Sequence, residues 1–575
     1  MSTAYVHLDL STGQQRSVAP AAFGGPLQAL GNLRAAVARG SSDRPVALVT
    51  TTVAGLHGVG LARCAAVGVS PLSGAVAETR AEGPFAAGMR AAGIVGIELT
   101  GAAEHPSYVV IEAGRAEIRP AEDLWGWDTR RTTGALIARH GRGAAVAAIG
   151  PAGEAGAAYA TIVTNSAFPL PRLGFGAIFG DRNVKAVVCV PGDTPPEPYD
   201  RAAVDALSSA YRQEMRDHPL AGWQHAVPGF GVWPGSDADP GHAAVRNFAD
   251  TTTAPAHYPG LHPDGYAHRL NWSAGACPGC PNDCIKGYGD GGLHQEAVAM
   301  LGPNLEIDDL TAILAANRRC QELGLDPVSL GGTLACAFEA IDRRITVPWL
   351  PPGARFGNGR LLPSLVDLAA TPGHPLSYGA GHVARELGVP EAAMVSRNVE
   401  LPPFDPRVQP GLGLMYAAAP VGPRYDAIEH DLDFDPAYGL PYCFPEARSL
   451  GLTVPAPWST MDVNRTLRLA DLWSGLDALL ICPYASTPTR PLSLNRVREL
   501  VRATTGVPVP REGVFLLGRA RLKLQQEIND LLGVAPGTLP ARFFTEPVRS
   551  GPFAGAVLDR DAFTGGVAAL RAAWR

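Results

Sequence analysis

The sequence predicts an α+β fold in which a β-rich part of about 200 residues precedes a mainly helical remainder. Three observations support this prediction. Short β-branched or apolar runs recur between Gly and Pro residues over the first 190 positions, a pattern typical of strands and turns. A proline-rich segment at 192–198 then marks a boundary. Beyond it, apolar residues recur at helical spacing.

Five runs in the first part are predicted strands because they are apolar, short and bounded by turn residues. Glycine clusters separate them, and glycine allows a backbone to approach a large ligand or to form a β-turn. The runs lie at 46–53, 94–99, 108–111, 145–149 and 185–190.

Helices are predicted where a capping residue precedes apolar residues spaced three or four apart. Asp200 is placed to cap a helix with Val204, Leu207, Tyr211 and Met215 on one face. Asp308 is expected to cap another helix, which Gly324 ends. Further helices are expected at 465–480, at 511–532 and over the last dozen residues.

Composition narrows the class of protein. The chain has 575 residues, 46% hydrophobic and 18% charged, with a net charge of −6. This balance predicts a globular protein that binds neither nucleic acid nor a membrane. The sequence shows no secretory signal, and nine cysteines, an odd number, fit a reducing compartment. We therefore expect a cytoplasmic protein.

The densest cluster of chemically reactive residues is Cys277-x2-Cys280-x3-Cys284. Iron–sulfur clusters are usually held by four cysteine thiolates, so a fourth ligand is needed. A structural zinc site would call for a second close pair of Cys or His ligands. A two-cluster ferredoxin would repeat the motif, and radical-SAM enzymes use the opposite spacing.

Six other cysteines are candidates for the fourth ligand. Cys189 in an apolar run and Cys336 in an Ala-rich segment are expected in the core. Cys482 follows a predicted helix and precedes a proline. Spacing alone leaves Cys482 as one candidate among several.

The flanks of the triplet carry more information. The sequence after it reads QEAVAMLGPNL at 295–305, and other landmarks occur in order along nearly the whole chain. Together they resemble the tungsten-containing aldehyde ferredoxin oxidoreductase family. The landmarks are SPLSG at 70–74, IGPAGE at 149–154, GFGAIFGDRNVKA at 174–186, RNF at 246–248, LPPFDPR at 401–407 and LPARF at 539–543.

The resemblance implies a fold and cofactors. A β-rich cofactor-binding base domain, 1–200, would be followed by two mainly helical domains, 201–400 and 401–575. Tungsten, or molybdenum, would be held by a bis-pyranopterin, with Mg²⁺ as a possible bridge between the pterin phosphates. A 4Fe–4S cluster would be bound by Cys277, Cys280, Cys284 and Cys482.

The resemblance also implies the residues that contact the pterins. A family motif occurs twice in altered form, at 321–326 and at 477–482. A carboxylate suits the amino and ring N–H groups of a pterin, and a guanidinium suits its phosphate. The expected cofactor-binding residues are Arg63, Arg172, Gly174, Gly176, Gly324, Leu325, Asp326 and Asp477.

The predicted catalytic residue is Glu296, which matches the family's active-site Glu and would transfer protons. The chain departs from the family nearby, because Tyr425 stands where the family has His. His430, five residues on, is the alternative replacement. The family's motif for an iron at a dimer interface reads AANR at 315–318, so we do not expect that iron, although a homodimer remains compatible with the resemblance.

Three functions follow. The first is oxidation of an aldehyde to a carboxylic acid, or the reverse, with ferredoxin or an iron–sulfur subunit as electron partner. The second keeps the cofactors but reduces a ring or a specialised metabolite, since the family's His is replaced. The third is an inactive electron-transfer or scaffold subunit, since both pterin motifs are altered.

Overall fold

The computed structural model describes residues 3–575 except 22, 194, 227–240, 242, 253–257, 263–271, 274 and 289–290. At 272, 273, 288, 291 and 425 it describes the backbone only. The predicted order of a β-rich first part and a mainly helical remainder is confirmed.

The first sheet has six strands in the order β2-β1-β6-β3-β4-β5. Only the β1–β6 pair is parallel, and the other neighbours are antiparallel. Its strands are β1 (Ala4–Asp9), β2 (Gln15–Val18), β3 (Val46–Val49), β4 (Cys64–Val69), β5 (Val76–Ala81) and β6 (Ile94–Thr100).

The second sheet also has six strands, in the order β11-β10-β9-β12-β7-β8. Here β7 and β12 are parallel. Its strands are β7 (Ser107–Glu112), β8 (Arg115–Pro120), β9 (Ala145–Ala148), β10 (Ile162–Thr164), β11 (Phe168–Leu170) and β12 (Val184–Val190). Each of the five predicted runs overlaps a strand of one of the two sheets.

Alternation along the strands explains how the sheets stack. Val46 and Leu48 face a core shared with Val109 and other residues of the second sheet. Their neighbours along β3 face the opposite core, which includes Leu30 of an N-terminal helix. Successive side chains of a strand point to opposite faces, so an all-apolar strand can be buried on both sides. The result is a two-sheet base with helices on its outer faces.

The remainder of the described chain is mainly helical. Buried residues on both sides of position 200 share one core, so the domain boundaries at 200 and 400 stay predictions. The α-helices of the first part are Gly25–Ala38, Phe85–Ala91, Thr129–His140, Pro151–Glu154 and Phe175–Asp181. Those of the remainder are Arg201–Met215, Pro219–His225, Gln295–Leu301, Leu310–Leu323, Pro327–Asp342, Leu362–Ala369, Ala380–Glu386, Pro410–Ala418, Phe444–Ser449, Val463–Leu479, Leu494–Thr505, Arg511–Leu532, Arg542–Thr545 and Arg560–Ala573.

Short elements connect these helices. The two-residue strands are Ala244–Val245, Asp250–Thr251, Trp272–Ser273, Gly287–Tyr288, Gly291–Gly292, Val395–Ser396 and Val399–Glu400. The 3-10 helices are Pro259–Leu261, Pro303–Leu305, Gly359–Leu361, Pro375–Tyr378, Pro390–Ala392, Tyr425–Ala427, Asp431–Phe434, Pro441–Cys443 and Pro483–Ala485.

One of the two predicted helix caps is correct. The Asp200 side chain accepts a hydrogen bond from the backbone N–H of Ala203. The other prediction is wrong by one residue, because Asp309 rather than Asp308 accepts from the backbone N–H groups of the first turn. Gly324 does end that helix, with a φ of 73° that suits glycine.

Two long helices meet closely behind the base. A Cβ atom on Gly518 of helix Arg511–Leu532 would lie 1.8 Å from the backbone oxygen of Asp471 in helix Val463–Leu479. Only glycine therefore permits this approach. It brings the end of helix Val463–Leu479, and Cys482 after it, against the base. Among the described residues, no helix is long and apolar enough to cross a membrane.

Candidate functional site: two adjoining cavities

A large cavity lies where the edge of the first sheet meets the helical part. It encloses about 1040 Å³, counting its open mouth. Strand β5, the segment around β11, the helix start at 294–297 and the helix junction near 321–328 all contribute to its wall. The chain after Pro423 closes one side. A ligand in this cavity would contact both the first sheet and the helical part.

A second cavity of about 390 Å³ is lined by four cysteines. They are the triplet Cys277, Cys280 and Cys284, together with Cys482. Among the described residues, no three Cys, His, Asp or Glu side chains lie close enough to hold a single metal ion. The four thiols line one shared space.

The local backbone positions these thiols. Burial raises the pKa of Cys280, while the backbone N–H groups of Gly60, Asn282 and Asp283 act in the opposite direction. The backbone N–H of Cys482 donates to the carbonyl oxygen of Gly60 at 2.9 Å. Burial raises the pKa of Cys482 to about 12. A bound cationic cluster would reverse this effect, because a coordinating thiol is deprotonated.

Arg63 lines both cavities and forms part of the wall between them. Its Nε donates to Glu82 at 2.8 Å, its Nη1 to Asp477 at 3.1 Å and its Nη2 to Asp426 at 3.4 Å. The side chain is 2% exposed. These carboxylates therefore fix the position of the Arg63 guanidinium. The family resemblance predicts that this guanidinium contacts a cofactor phosphate.

Asp477 lies behind the large cavity and is not among its lining residues. It also accepts from Arg80 Nη2 at 2.6 Å and from Arg424 Nη1 at 3.4 Å. Its predicted direct contact with a pterin stays a prediction. In this geometry Asp477 orients the arginines that form the wall.

The network extends into the helical part through Glu78, which is fully buried. Arg80 Nη1 and Arg521 Nε each donate to Glu78 at 3.1 Å. Glu78 and Arg80 lie two residues apart on β5 and so face the same side. Buried charges require partners of this kind, and the network gives the cavity a rigid, charged wall.

The junction between helices Leu310–Leu323 and Pro327–Asp342 forms the opposite wall. Asp326 caps the second helix, and its Oδ2 accepts from the backbone N–H of Ser329 at 2.7 Å. The other carboxylate oxygen has no hydrogen-bond partner among the described residues, and neither does Oε1 of Gln321. Both side chains line the cavity and are at least nine-tenths buried. These acceptors are placed to receive N–H donors from a bound molecule.

Gly324 and Leu325 hold Asp326 in place. The Gly324 carbonyl oxygen accepts from the backbone N–H of Thr161 at 2.8 Å. Leu325 forms an isolated bridge with Ala160. Neither residue lines the cavity, so their described contacts serve to join the helix junction to the base.

Arg172 lines the cavity and is 5% exposed. Its Nη2 donates to the carbonyl oxygen of Glu400, whereas Nε and Nη1 have no partner among the described residues. Gly174 and Gly176 do not line the cavity. A Cβ on Gly174 would lie 2.4 Å from the Ala158 carbonyl oxygen, so these glycines allow backbone segments to pack closely.

Glu296 lies in the first turn of helix Gln295–Leu301 and lines the cavity. It is 6% exposed, and Oε1 has no hydrogen-bond partner among the described residues. Burial raises the pKa of Glu296 well above its usual range, and Arg172 acts in the opposite direction. A buried carboxyl group of this kind can hold a proton near neutral pH.

Whether His430 or Tyr425 replaces the family's His stays a prediction. His430 is not among the cavity-lining residues, and its ring packs on Phe404 with a centroid distance of 4.5 Å. Ile428 and Glu429, which follow Asp426, are buried and are not among the cavity-lining residues. Tyr425 lies in the 3-10 helix Tyr425–Ala427, and its side chain is outside the described part of the structure.

Several cavity residues were missed by the sequence analysis. His294, Asp426 and Arg424 line the wall with Glu296. Burial acts to raise the pKa of Asp426, but Arg424 and Arg63 hold it below its usual value. The alternation of Glu78 and Arg80 along β5, a strand that the sequence analysis did not predict, was the available signal for a charged wall.

A two-sheet base covered by helices, with charged side chains in the wall of a large cavity beside four clustered thiols, suits an oxidoreductase that binds a large cofactor next to a thiolate-held centre. A family model described as "Aldehyde ferredoxin oxidoreductase, N-terminal domain" matches residues 17–191. A second, "Aldehyde ferredoxin oxidoreductase, domains 2 & 3", matches residues 206–568. The chain belongs to the aldehyde ferredoxin oxidoreductase family, and it is an oxidoreductase.

Individual relatives agree with this assignment. The tungsten-containing aldehyde ferredoxin oxidoreductase of Pyrococcus furiosus is 30% identical over 508 residues, covering 84% of this chain and 80% of the relative. That of Thermococcus kodakarensis is 29% identical over 508 residues, covering 85% and 81%. The WOR-like subunit of an aliphatic sulfonate oxidoreductase from Pyrococcus furiosus is 26% identical over 48% of each chain.

A solved structure has the same fold. It is the active-site complex BamBC of benzoyl coenzyme A reductase, bound to 1,5-dienoyl-CoA. The TM-score is 0.77, with 99% of this chain and 98% of that chain covered. At 18% identity this likeness shows the fold alone.

Proposed function

We propose that the protein is a tungsten, or molybdenum, bis-pyranopterin oxidoreductase with one 4Fe–4S cluster. It interconverts an aldehyde and a carboxylic acid and exchanges electrons with ferredoxin or an iron–sulfur subunit. One observation carries the proposal: the four-cysteine cavity shares Arg63 and Glu82 with the large polar cavity. A cluster in the first cavity would be separated from a cofactor in the second by a single layer of side chains.

The residues of the large cavity fit a pterin. Oδ1 of Asp326 and Oε1 of Gln321 are buried acceptors without partners among the described residues, matching the amino and ring N–H groups of a pterin. Nε and Nη1 of Arg172 are buried donors that also have no partner among the described residues. They match an anionic group such as phosphate. Magnesium between two phosphates stays a prediction, as do a homodimer and a cytoplasmic location.

The bound metal and cluster would supply the two-electron chemistry and the outlet for electrons. The residues of the chain itself position the reacting groups and exclude water from them. Arg63, Arg80 and Arg424 are held by buried carboxylates, so their charges need little reorganisation. Glu296, buried with one free carboxylate oxygen, holds the proton that is exchanged with the substrate or water.

The test begins with anaerobic purification and measurement of tungsten, molybdenum, iron and pterin per chain. About four iron atoms, one tungsten or molybdenum and two pterins are expected. Oxidation of a panel of aldehydes with an artificial acceptor or ferredoxin is then expected. About four iron atoms without tungsten, molybdenum or pterin would favour an inactive electron-transfer subunit. A full cofactor content without activity on any aldehyde would favour a different reaction on the same cofactors.

A further inference from the structure

Glu82 lies in the wall that separates the two cavities. Its side chain and that of Arg63 line both of them. Glu82 follows directly after β5 and continues the alternation of Glu78 and Arg80 along that strand. Gly83, whose φ of 106° is a conformation that favours glycine, turns the chain at this point. The backbone therefore places one carboxylate in the walls of both cavities.

A hydrogen bond fixes the charge of this carboxylate. Oε1 of Glu82 accepts from Nε of Arg63 at 2.8 Å, and the Glu82 side chain is 15% exposed. A guanidinium is always protonated in proteins, and a carboxylate beside it stays ionised. Arg63 also donates to Asp477 and Asp426, so it shares one positive charge among three carboxylates. Glu82 therefore carries a negative charge that Arg63 neutralises only in part.

The charge of Glu82 acts on the thiols of the small cavity. Burial raises the pKa of Cys277 and of Cys284, and Glu82 adds to that effect. At Cys482 burial is again the main cause of a raised pKa, with Arg63 opposing it and Glu82 adding to it. The carboxylate thus disfavours further negative charge at three of the four positions proposed to hold the cluster.

We propose that Glu82 holds the reduction potential of the 4Fe–4S cluster at a more negative value than the cysteine cavity would otherwise give. This inference rests on the proposed function, in which that cavity binds the cluster. Reduction adds one electron, supplied by the metal cofactor, and no proton, so negative charge in the cavity grows by one. A fixed negative charge in the wall opposes this change, since cluster potentials depend on nearby charge.

The variant Glu82→Gln removes the charge and keeps the shape of the side chain, because its amide oxygen can still accept from Arg63. A unit charge this close to a buried site changes an equilibrium constant by roughly 10-fold. We expect a midpoint potential that is more positive by about 59 mV, the equivalent of 10-fold for one electron. Redox titration of the anaerobic enzyme with EPR detection measures it. An unchanged midpoint at full iron content would overturn the proposal.

Two further substitutions at the same position separate charge from packing. Glu82→Asp keeps the charge on a shorter side chain, so its midpoint is expected to stay close to that of the wild type. An equal shift in Glu82→Asp and Glu82→Gln would show that packing sets the potential, which would contradict the proposal. Glu82→Ala removes the same charge with a different shape, and it takes over the measurement if Glu82→Gln loses iron.

Asp426 offers a matched control. It accepts from the same guanidinium, at Nη2 of Arg63 and a distance of 3.4 Å, and its side chain is 13% exposed. It lines the large cavity but, in the described part of the chain, is not among the residues around the four thiols. Asp426→Asn is therefore expected to shift the midpoint less than Glu82→Gln does. Equal shifts would assign the effect to the charge of Arg63 and overturn the role of Glu82.

Failure of this inference is distinguishable from failure of the proposed function. A wild-type enzyme without iron would refute the cluster and the proposed function with it. A wild-type enzyme that contains the cluster but oxidises no aldehyde would refute the reaction, while the midpoints still test Glu82. In an active enzyme, Glu82→Gln should slow reduction of methyl viologen, a low-potential acceptor, more than reduction of a high-potential dye.

Discussion

Nη1 of Arg63 donates to Oδ1 of Asp477 at 3.1 Å, and this buried ion pair joins the first sheet to the end of helix Val463–Leu479. Arg63 directly precedes β4, and Asp477 lies five residues before Cys482. The pair therefore links the wall of the large cavity to the fourth thiol of the small one. Its loss is expected to affect both stability and cofactor retention.

The variant Asp477→Asn tests this link. It leaves the buried guanidinium groups of Arg63 and Arg80 with less counter-charge. Removing one partner of a buried ion pair typically costs about 3–5 kcal/mol. We expect a loss of this size in the free energy of unfolding, measured by urea denaturation at pH 7.

An exposed ion pair provides the control for this prediction. Asp367 pairs with Arg319 at 2.7 Å, but its side chain is 53% exposed. Asp367→Asn is expected to cost less than about 1 kcal/mol, since solvent screens surface pairs. Similar losses in both variants would show that the Asp477 network does not stabilise the fold as a buried one should.

Cys482 is predicted to be essential for the iron–sulfur site. Cys482→Ser replaces a thiolate with a poor iron ligand while the other three cysteines still line the cavity. We expect iron content to fall well below that of the wild type, for which we propose about four atoms per chain. The visible absorption of the cluster, measured anaerobically, should decrease in parallel.

The control is Cys189→Ala, because Cys189 is buried in β12 and does not line the cysteine cavity. Its iron content is expected to equal that of the wild type. If Cys482→Ser also retained full iron content and absorption, another residue would have to provide the fourth ligand.

Lys185 and Glu154 form a buried ion pair between two sequence landmarks of the family. Nζ of Lys185 also donates to the carbonyl oxygen of Trp127 at 2.7 Å. Lys185→Met leaves Glu154 buried without its cation, and a loss of about 3–5 kcal/mol is expected. The double variant Lys185→Met, Glu154→Gln should lose less free energy of unfolding than the two single variants together. Each single variant leaves one buried charge unpaired, whereas the double variant leaves none.

Urea denaturation of the four proteins measures this coupling. The exposed pair Arg139–Asp123, with side chains 37% and 59% exposed, serves as the control cycle. Its coupling energy is expected to be below about 1 kcal/mol. Additive losses at Lys185 and Glu154 would argue against a stabilising pair.

Local patterns account for the parts of the fold that the sequence predicted. The run 46–53 contains β3 because its residues are apolar, β-branched and bounded by turn residues. Asp200 and Gly324 mark helix ends because capping chemistry acts within one turn. In the second case two adjacent aspartates offered the same signal, and the chain uses Asp309 rather than Asp308.

The cavities depend on contacts between distant segments. Cys482 lies about 200 positions from the cysteine triplet, and no spacing rule joins them, so the family landmarks were needed to nominate it. His294 and Asp426 gave no local signal, since a lone His or Asp is usually a surface or capping residue. His430 is not among the residues that line the large cavity, and the direction of the chain after Asp426 cannot be inferred from its distance in sequence.

Glu296→Gln is predicted to remove activity while keeping the shape of the side chain. Proton transfer by a positioned group typically contributes about 10²- to 10⁴-fold, so a decrease in kcat within this range is expected on loaded enzyme. Glu104→Gln, at a side chain 91% exposed, should retain wild-type activity. Undiminished turnover by Glu296→Gln at full cofactor content would assign the proton to another group.

The same variant should change how stability depends on pH. Burial raises the pKa of Glu296 in the folded protein, whereas the unfolded value is about 4.3. Above about pH 4.3 the folded state thus binds more protons than the unfolded state. The wild type therefore loses stability as the pH rises from about 4.3 towards the pKa of Glu296 in the folded protein. Gln carries no proton to lose, so Glu296→Gln should gain thermal stability relative to the wild type between pH 5 and 8. A constant difference in melting temperature across this range would contradict a raised pKa for Glu296.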